Sequence, residues 1–87
     1  MDMHDINEMM FSDNYKDRFV AEYFQLKHRV EGLQSLLYAY KNGTLDFAPK
    51  TKYNLFYEQY LIMCRYLNIL RERARIEEID LRIEIHC

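Results

Sequence analysis

Glycine and proline are almost missing from this chain: two glycines and one proline in 87 residues leave few points where a regular backbone must break. An all-β fold needs frequent turns, and a disordered chain lacks apolar residues, yet 49% of this sequence is apolar. The composition therefore argues for long helices. Basic excess is also missing, with 12 Lys and Arg against 14 Asp and Glu. A DNA or RNA polymer is not an expected partner, although clustered arginines would suit one small phosphate ligand. No run of about twenty apolar residues is present, and the N-terminus opens on acids rather than on a basic patch. No membrane partner is expected, and the reading is a cytoplasmic protein.

Catalytic signatures are lacking too. There is no Gly-x-Gly-x-x-Gly, Walker loop, His-Glu-x-x-His, Cys-x-x-Cys or Gly-x-Ser-x-Gly. His4, His28 and His86 lie far apart, with no metal-ligand spacing and no paired nucleophile. Cys64 and Cys87 form neither a disulfide framework nor a ligand set, and Cys64 reads as a small core residue. Neither an enzyme nor a cofactor or metal is expected.

What is present is helical periodicity, densest between Tyr53 and Ile76. Phe56, Tyr60, Met63, Leu67, Leu70 and Ala74 line one face at alternating steps of four and three. Leu55, Ile62, Tyr66, Ile69 and Ile76 repeat that spacing one residue out of phase, with Gln59 and Arg73 at the positions left over. One helical partner covers one stripe, so a second stripe calls for a second partner, and its polar members call for one that is not purely apolar.

Upstream, Phe19, Tyr23, Leu26, Val30, Leu33, Leu37 and Tyr40 keep the four-three rhythm of a helix packed lengthwise, widened by Val20 and Phe24. Ser12, Asp13 and Asn14 are good N-caps, and Lys41, Asn42 and Gly43 suit a helix end. Leu45 and Phe47 should fold back over that end. Pro49 delays the next helix, for which Thr51 is the expected cap. Gly32, inside the first long helix, is expected to let another backbone come close.

The 87 residues thus read as one domain, in which 1–11 form an arm, 12–42 a first helix, 51–78 a second helix and 79–87 a tail. Residues 1–11 suit a short amphipathic turn on the body or a mobile arm. The tail alternates Leu81, Ile83 and Ile85 with polar residues, suiting an extended segment that meets another subunit. The expected fold is all-α: an antiparallel helical hairpin with an N-terminal arm and an extended C-terminal tail. A chain this short buries too little alone, so the hairpin is expected to assemble as a homo-oligomeric bundle.

Polar residues interleave with these stripes. Lys16, Arg18, Glu22 and Arg29 lie along the first helix, where a solvated face with pairs such as Arg18 and Glu22 is the plain reading. Arg65, Arg71, Arg73 and Arg75 approach the end of the second helix, where cations complement the helix dipole. Tyr15, Tyr23, Tyr53, Tyr57, Tyr60 and Tyr66 suit a core or an interface. Together, rings that stack on bases and guanidinium groups that grip phosphates also suit a nucleotide. A symmetric assembly would present such a set twice, to a ligand with near two-fold symmetry.

The run from Asp17 to Arg29, DRFVAEYFQLKHR, followed by Gln59, Met63, Tyr66, Leu70 and Arg73 at helical spacing, resembles a family of short helical-hairpin proteins of bacteriophages and prophages. The resemblance covers about residues 15–76. Hairpins of this sort include anti-CBASS sponges, non-enzymatic oligomers that sequester the cyclic nucleotide signals of bacterial immunity. The resemblance implies binding of a cyclic dinucleotide such as 3′,3′-cGAMP between subunits of a homo-oligomer in the host bacterial cytosol, with a tetramer favoured and a dimer as the alternative. Arg18 and Arg73 are then expected on phosphates, Tyr15, Phe19 and Tyr66 on bases or as pocket walls, and Glu22 or Gln59 on base edges. The alternative reading is a helical interaction module that binds or inhibits a host protein through its second stripe.

Overall fold

The computed structural model describes residues 3–81, and these form three helices and no strand: α1 (Met3–Met10), α2 (Tyr15–Asn42) and α3 (Tyr53–Ile76). None of the helices is long and apolar enough to cross a membrane.

α2 starts where its first free amides find an acceptor. Asn14 holds extended backbone and its side chain accepts from the Lys16 amide at 2.8 Å, so the helix begins at Tyr15 and not at Ser12. Ser12 serves the connection instead, donating its hydroxyl to Asp17 and taking the Asn14 amide. At the other end Gly43 adopts the left-handed conformation at φ 68°, and its amide closes on the carbonyls of Ala39 and Tyr40.

α3 departs from expectation at both ends. Lys52, not Thr51, holds the N-cap position, and it offers no side-chain hydrogen bond. The amides of the first turn instead reach back to the Lys52 carbonyl region through Leu55 and Phe56. The helix stops at Ile76 rather than Glu78, because Glu78 turns left-handed at φ 57° and sends the Ile79 amide back to the Ala74 carbonyl at 2.8 Å.

Phe19, Tyr23, Leu26 and Val30 of α2 pack with Cys64, Leu67, Leu70 and Ala74 of α3 in one cluster, which Val20, Phe24, Tyr60 and Met63 border. Tyr23, Leu67 and Leu70 are fully buried, each large side chain contributing about 1.5–3 kcal/mol relative to exposure. Contacts tie the beginning of α2 to the end of α3, as in Tyr15 with Arg73, and the end of α2 to the beginning of α3, as in Tyr40 with Tyr53 and Phe56.

The N-terminal segment lies on the body, as one of its two readings had it, while the expectations for Gly32 and for the loop before Pro49 need correction. Residues 3–10 form a full helix packed on α2, with Ile6 wholly buried, as is Ala21 on α2. Gly32 meets nothing within 4 Å of where its Cβ would stand, so no backbone approaches it. Phe47 stays exposed while Leu45 is half-buried, so only part of that loop folds back. Of the tail, Ile79 and Leu81 are buried in the chain's own cluster, while the alternating residues 82–87 lie outside the described residues.

Candidate functional site

The second stripe of α3 remains uncovered by the chain itself. Leu55, Ile62, Ile69 and Ile76 are 61%, 62%, 49% and 65% exposed, while the first stripe ends in the buried Leu67, Leu70 and Ala74. Seven-residue spacing puts all four on one line, because 3.6 residues per turn brings every seventh side chain back to nearly the same direction. Gln59, Tyr66 and Arg73 alternate with them along that line.

At the C-terminal end of the line, Arg73 joins residues from both long helices. Its Nη2 donates to the Tyr15 hydroxyl at 2.8 Å, and its Nε lies 3.4 Å from a Glu77 carboxylate oxygen. Tyr15 in turn donates to the other Glu77 oxygen at 2.9 Å, which closes a three-membered ring of polar contacts. The Arg73 guanidinium also stands 5.0 Å above the Phe19 ring, whose negative face attracts it. Tyr15 and Phe19 are themselves ring neighbours, 6.2 Å apart and tilted.

Two turns before Arg73 on α3, Tyr66 donates its hydroxyl to the Glu22 carboxylate. That bond holds the phenol proton and pushes the Tyr66 pKa up, helped by partial burial and by the Glu22 charge, while Arg73 pulls more weakly the other way. On its other side Tyr66 borders a groove of about 460 Å³ between α2 and α3. Leu26, Arg29, Gly32 and Leu33 form its α2 wall, and Gln59, Met63 and Tyr66 its α3 wall. A second, smaller groove of about 340 Å³ shares Gln59 and Met63 and is also lined by Leu55, Glu58 and Ile62.

Of the residues expected at a ligand, the structure gathers Tyr15, Phe19 and Arg73 directly, and Glu22 with Tyr66 beside them. Gln59 lies two turns away along α3 in the groove that Tyr66 also lines. Arg18 is apart: its Nη1 donates to the Ser12 carbonyl at 2.8 Å and braces the α1–α2 connection. Sequence reasoning did not single out Glu77, although its position four residues after Arg73 marks a helical ion pair. Nor did it foresee a groove wall built from Arg29 and Gly32, which only the pairing of α2 with α3 brings opposite Gln59.

Rings, guanidinium groups and hydrogen-bonding side chains in this arrangement suit recognition of a planar, anionic molecule. Among the described residues no group of three or more His, Cys, Asp or Glu is placed to hold a metal ion.

Compared with known proteins, the chain matches the family model described as Sequestin over residues 13–76, which spans α2 and α3 and leaves α1 outside. Neither a curated protein nor a solved structure matches.

Proposed function

Since this chain belongs to the Sequestin family, a family of cyclic-nucleotide sponges rather than enzymes, we propose that it sequesters a cyclic dinucleotide immune signal resembling 3′,3′-cGAMP and so blunts CBASS in a phage-infected cell. In this reading α2 and α3 act as an antiparallel hairpin, and copies of the chain close over the second stripe of α3, with a tetramer as the favoured assembly. The ligand sits at the boundary between copies. Arg73 and Arg18 take phosphates, the rings of Tyr15, Phe19 and Tyr66 wall the bases, and Glu22 or Gln59 meets base edges. One Arg18 N–H group already holds the Ser12 carbonyl, which leaves the others for a phosphate.

One observation carries this reading. Near its end the line of exposed apolar residues on α3 includes a guanidinium held over the Phe19 ring and bonded to the Tyr15 hydroxyl, so a face that needs covering and groups that suit a nucleotide are continuous. Sequestration requires affinity and abundance and no chemical step.

Calorimetric titration with 3′,3′-cGAMP, other cyclic dinucleotides, cyclic trinucleotides and cyclic ADP-ribose tests it. Heat with 3′,3′-cGAMP supports the full reading. Binding of another member alone leaves a sponge and removes the ligand assignment. No heat with any of them overturns sequestration and favours the helical module that engages a host protein.

A further inference from the structure

We infer that the groove between α2 and α3 is the seat for one nucleotide unit of the ligand, with Arg29 gripping its phosphate and Gly32 keeping the seat open. The inference rests on the sponge reading above and names where within the chain the ligand lies.

Among the described arginines only Arg29 and Arg65 have no bonded partner, and of these two Arg29 lines the groove. Arg18 is bonded to the Ser12 carbonyl, Arg71 to Tyr23 and Asn68, Arg73 to Tyr15 and Glu77, and Arg75 to Glu72. A phosphate reaching any of those shares the guanidinium with a partner it already holds. Among the described residues no acid pairs with Arg29, which is exposed at the groove wall. Its fork of N–H donors is free to take two phosphate oxygens at once, the geometry that favours guanidinium over ammonium for this purpose.

Gly32 supplies the second observation, independent of charge. Glycine inside a helix weakens it relative to alanine, so its presence calls for a reason. Backbone conformation is not that reason, since the only glycine here with positive φ is Gly43. Close packing is not the reason either, because nothing lies within 4 Å of a Cβ built on Gly32. What the missing side chain preserves is the open wall of the groove, one turn after Arg29.

The remaining lining completes the fit. A volume of about 460 Å³ falls within the range of small-molecule sites. Tyr66 and Met63 offer an aromatic edge and a polarisable thioether to a base, and the Gln59 amide offers both a donor and an acceptor to its edge. An unpaired cation beside these groups complements an anionic aromatic ligand, and that charge complementarity favours a nucleotide over the side chains of a second copy.

The test compares wild type with Arg29→Gln, Arg29→Lys and Gly32→Leu by calorimetry against the same cyclic nucleotide panel, with light-scattering mass and thermal melting recorded in parallel. Arg29→Gln should weaken binding by about tenfold or more, and Arg29→Lys should restore only part of it, since the loss is that of a bidentate charged contact. Gly32→Leu should remove binding while melting no lower than wild type, because the added side chain strengthens the helix and fills the seat. If wild type binds and all three variants bind equally well, the groove assignment is wrong and the sponge reading stands. If Gly32→Leu keeps its affinity but changes the assembly mass, the groove is a contact between copies. No heat from wild type overturns the sponge reading and the groove assignment with it.

Discussion

Tyr66 on α3 donates its hydroxyl to Glu22 on α2, a bond between residues 44 apart in sequence that pins the two helices together at the edge of the candidate site. The bond has a direct consequence for titration. Because the carboxylate accepts from the neutral phenol, the folded-state pKa of Tyr66 lies above the ordinary tyrosine value near 10. A raised folded pKa means the contribution of this group to stability is present below the unfolded pKa and is lost as pH rises through the folded one. In a spectrophotometric titration of the eight tyrosines, one should ionise late, and Glu22→Gln should bring it back toward the others. No change on Glu22→Gln would contradict the bond.

Arg73 separates a structural role from a binding role. Its ion pair with Glu77 is half-exposed, at 46% and 33%, so Arg73→Gln should cost the folded chain less than about 1 kcal/mol in denaturant unfolding. The affinity for 3′,3′-cGAMP should nevertheless fall by about tenfold or more, the weight of a charged hydrogen-bonded contact. Equal affinity in the variant would remove Arg73 from the ligand.

Leu67 is fully buried between the long helices. Leu67→Ala should destabilise by about 2–5 kcal/mol, through lost transfer energy and the cavity left behind, measured as a lower midpoint in urea. Leu61, which is half exposed on the same helix, should tolerate alanine with a change near 0.5 kcal/mol, about the usual surface effect.

Ile62 and Ile69 test the proposed assembly. With 62% and 49% of their surfaces exposed, Ile62→Lys and Ile69→Glu have little to disturb within the chain. Together they should reduce the light-scattering mass to that of one chain while the helical circular dichroism signal persists. A wild-type mass already equal to one chain would contradict the assembly.

Gly32→Ala should stabilise the chain by about 1 kcal/mol, since the added methyl group meets nothing within 4 Å and alanine is the better helix former. Thermal melting checks it. A lower midpoint would point to a neighbour that this chain alone does not contain.

Much of this fold was legible as periodicity. The four-three rhythm of Phe19, Tyr23, Leu26 and Val30 marked the buried seam of α2, Gly43 marked its end, and Cys64 is buried as a small core residue should be. Such features are local, each depending on a few neighbours along one helix. α1 was harder to read, since Ile6 stands among acids and eight residues carry barely two turns of pattern, so its order depends on packing against α2. The N-cap of α3 is not legible from residue type, since Thr51 is the better capping side chain, yet Lys52 sits where the backbone turns. Within the candidate site, Tyr15, Phe19 and Arg73 were chosen by residue type, whereas Arg29 and Gly32 gained meaning only from their position opposite Gln59. A groove between helices depends on their pairing, which periodicity along one helix does not encode.

The most direct measurement is recovery of the ligand. Folded chain in excess is mixed with 3′,3′-cGAMP, the free nucleotide is measured after filtration, and the retained fraction is then heat-denatured and its nucleotide measured by mass spectrometry. Sequestration predicts depletion of the free nucleotide and its full return, chemically unchanged, once the chain unfolds. Nucleotide that is never depleted, or that returns cleaved, would contradict it.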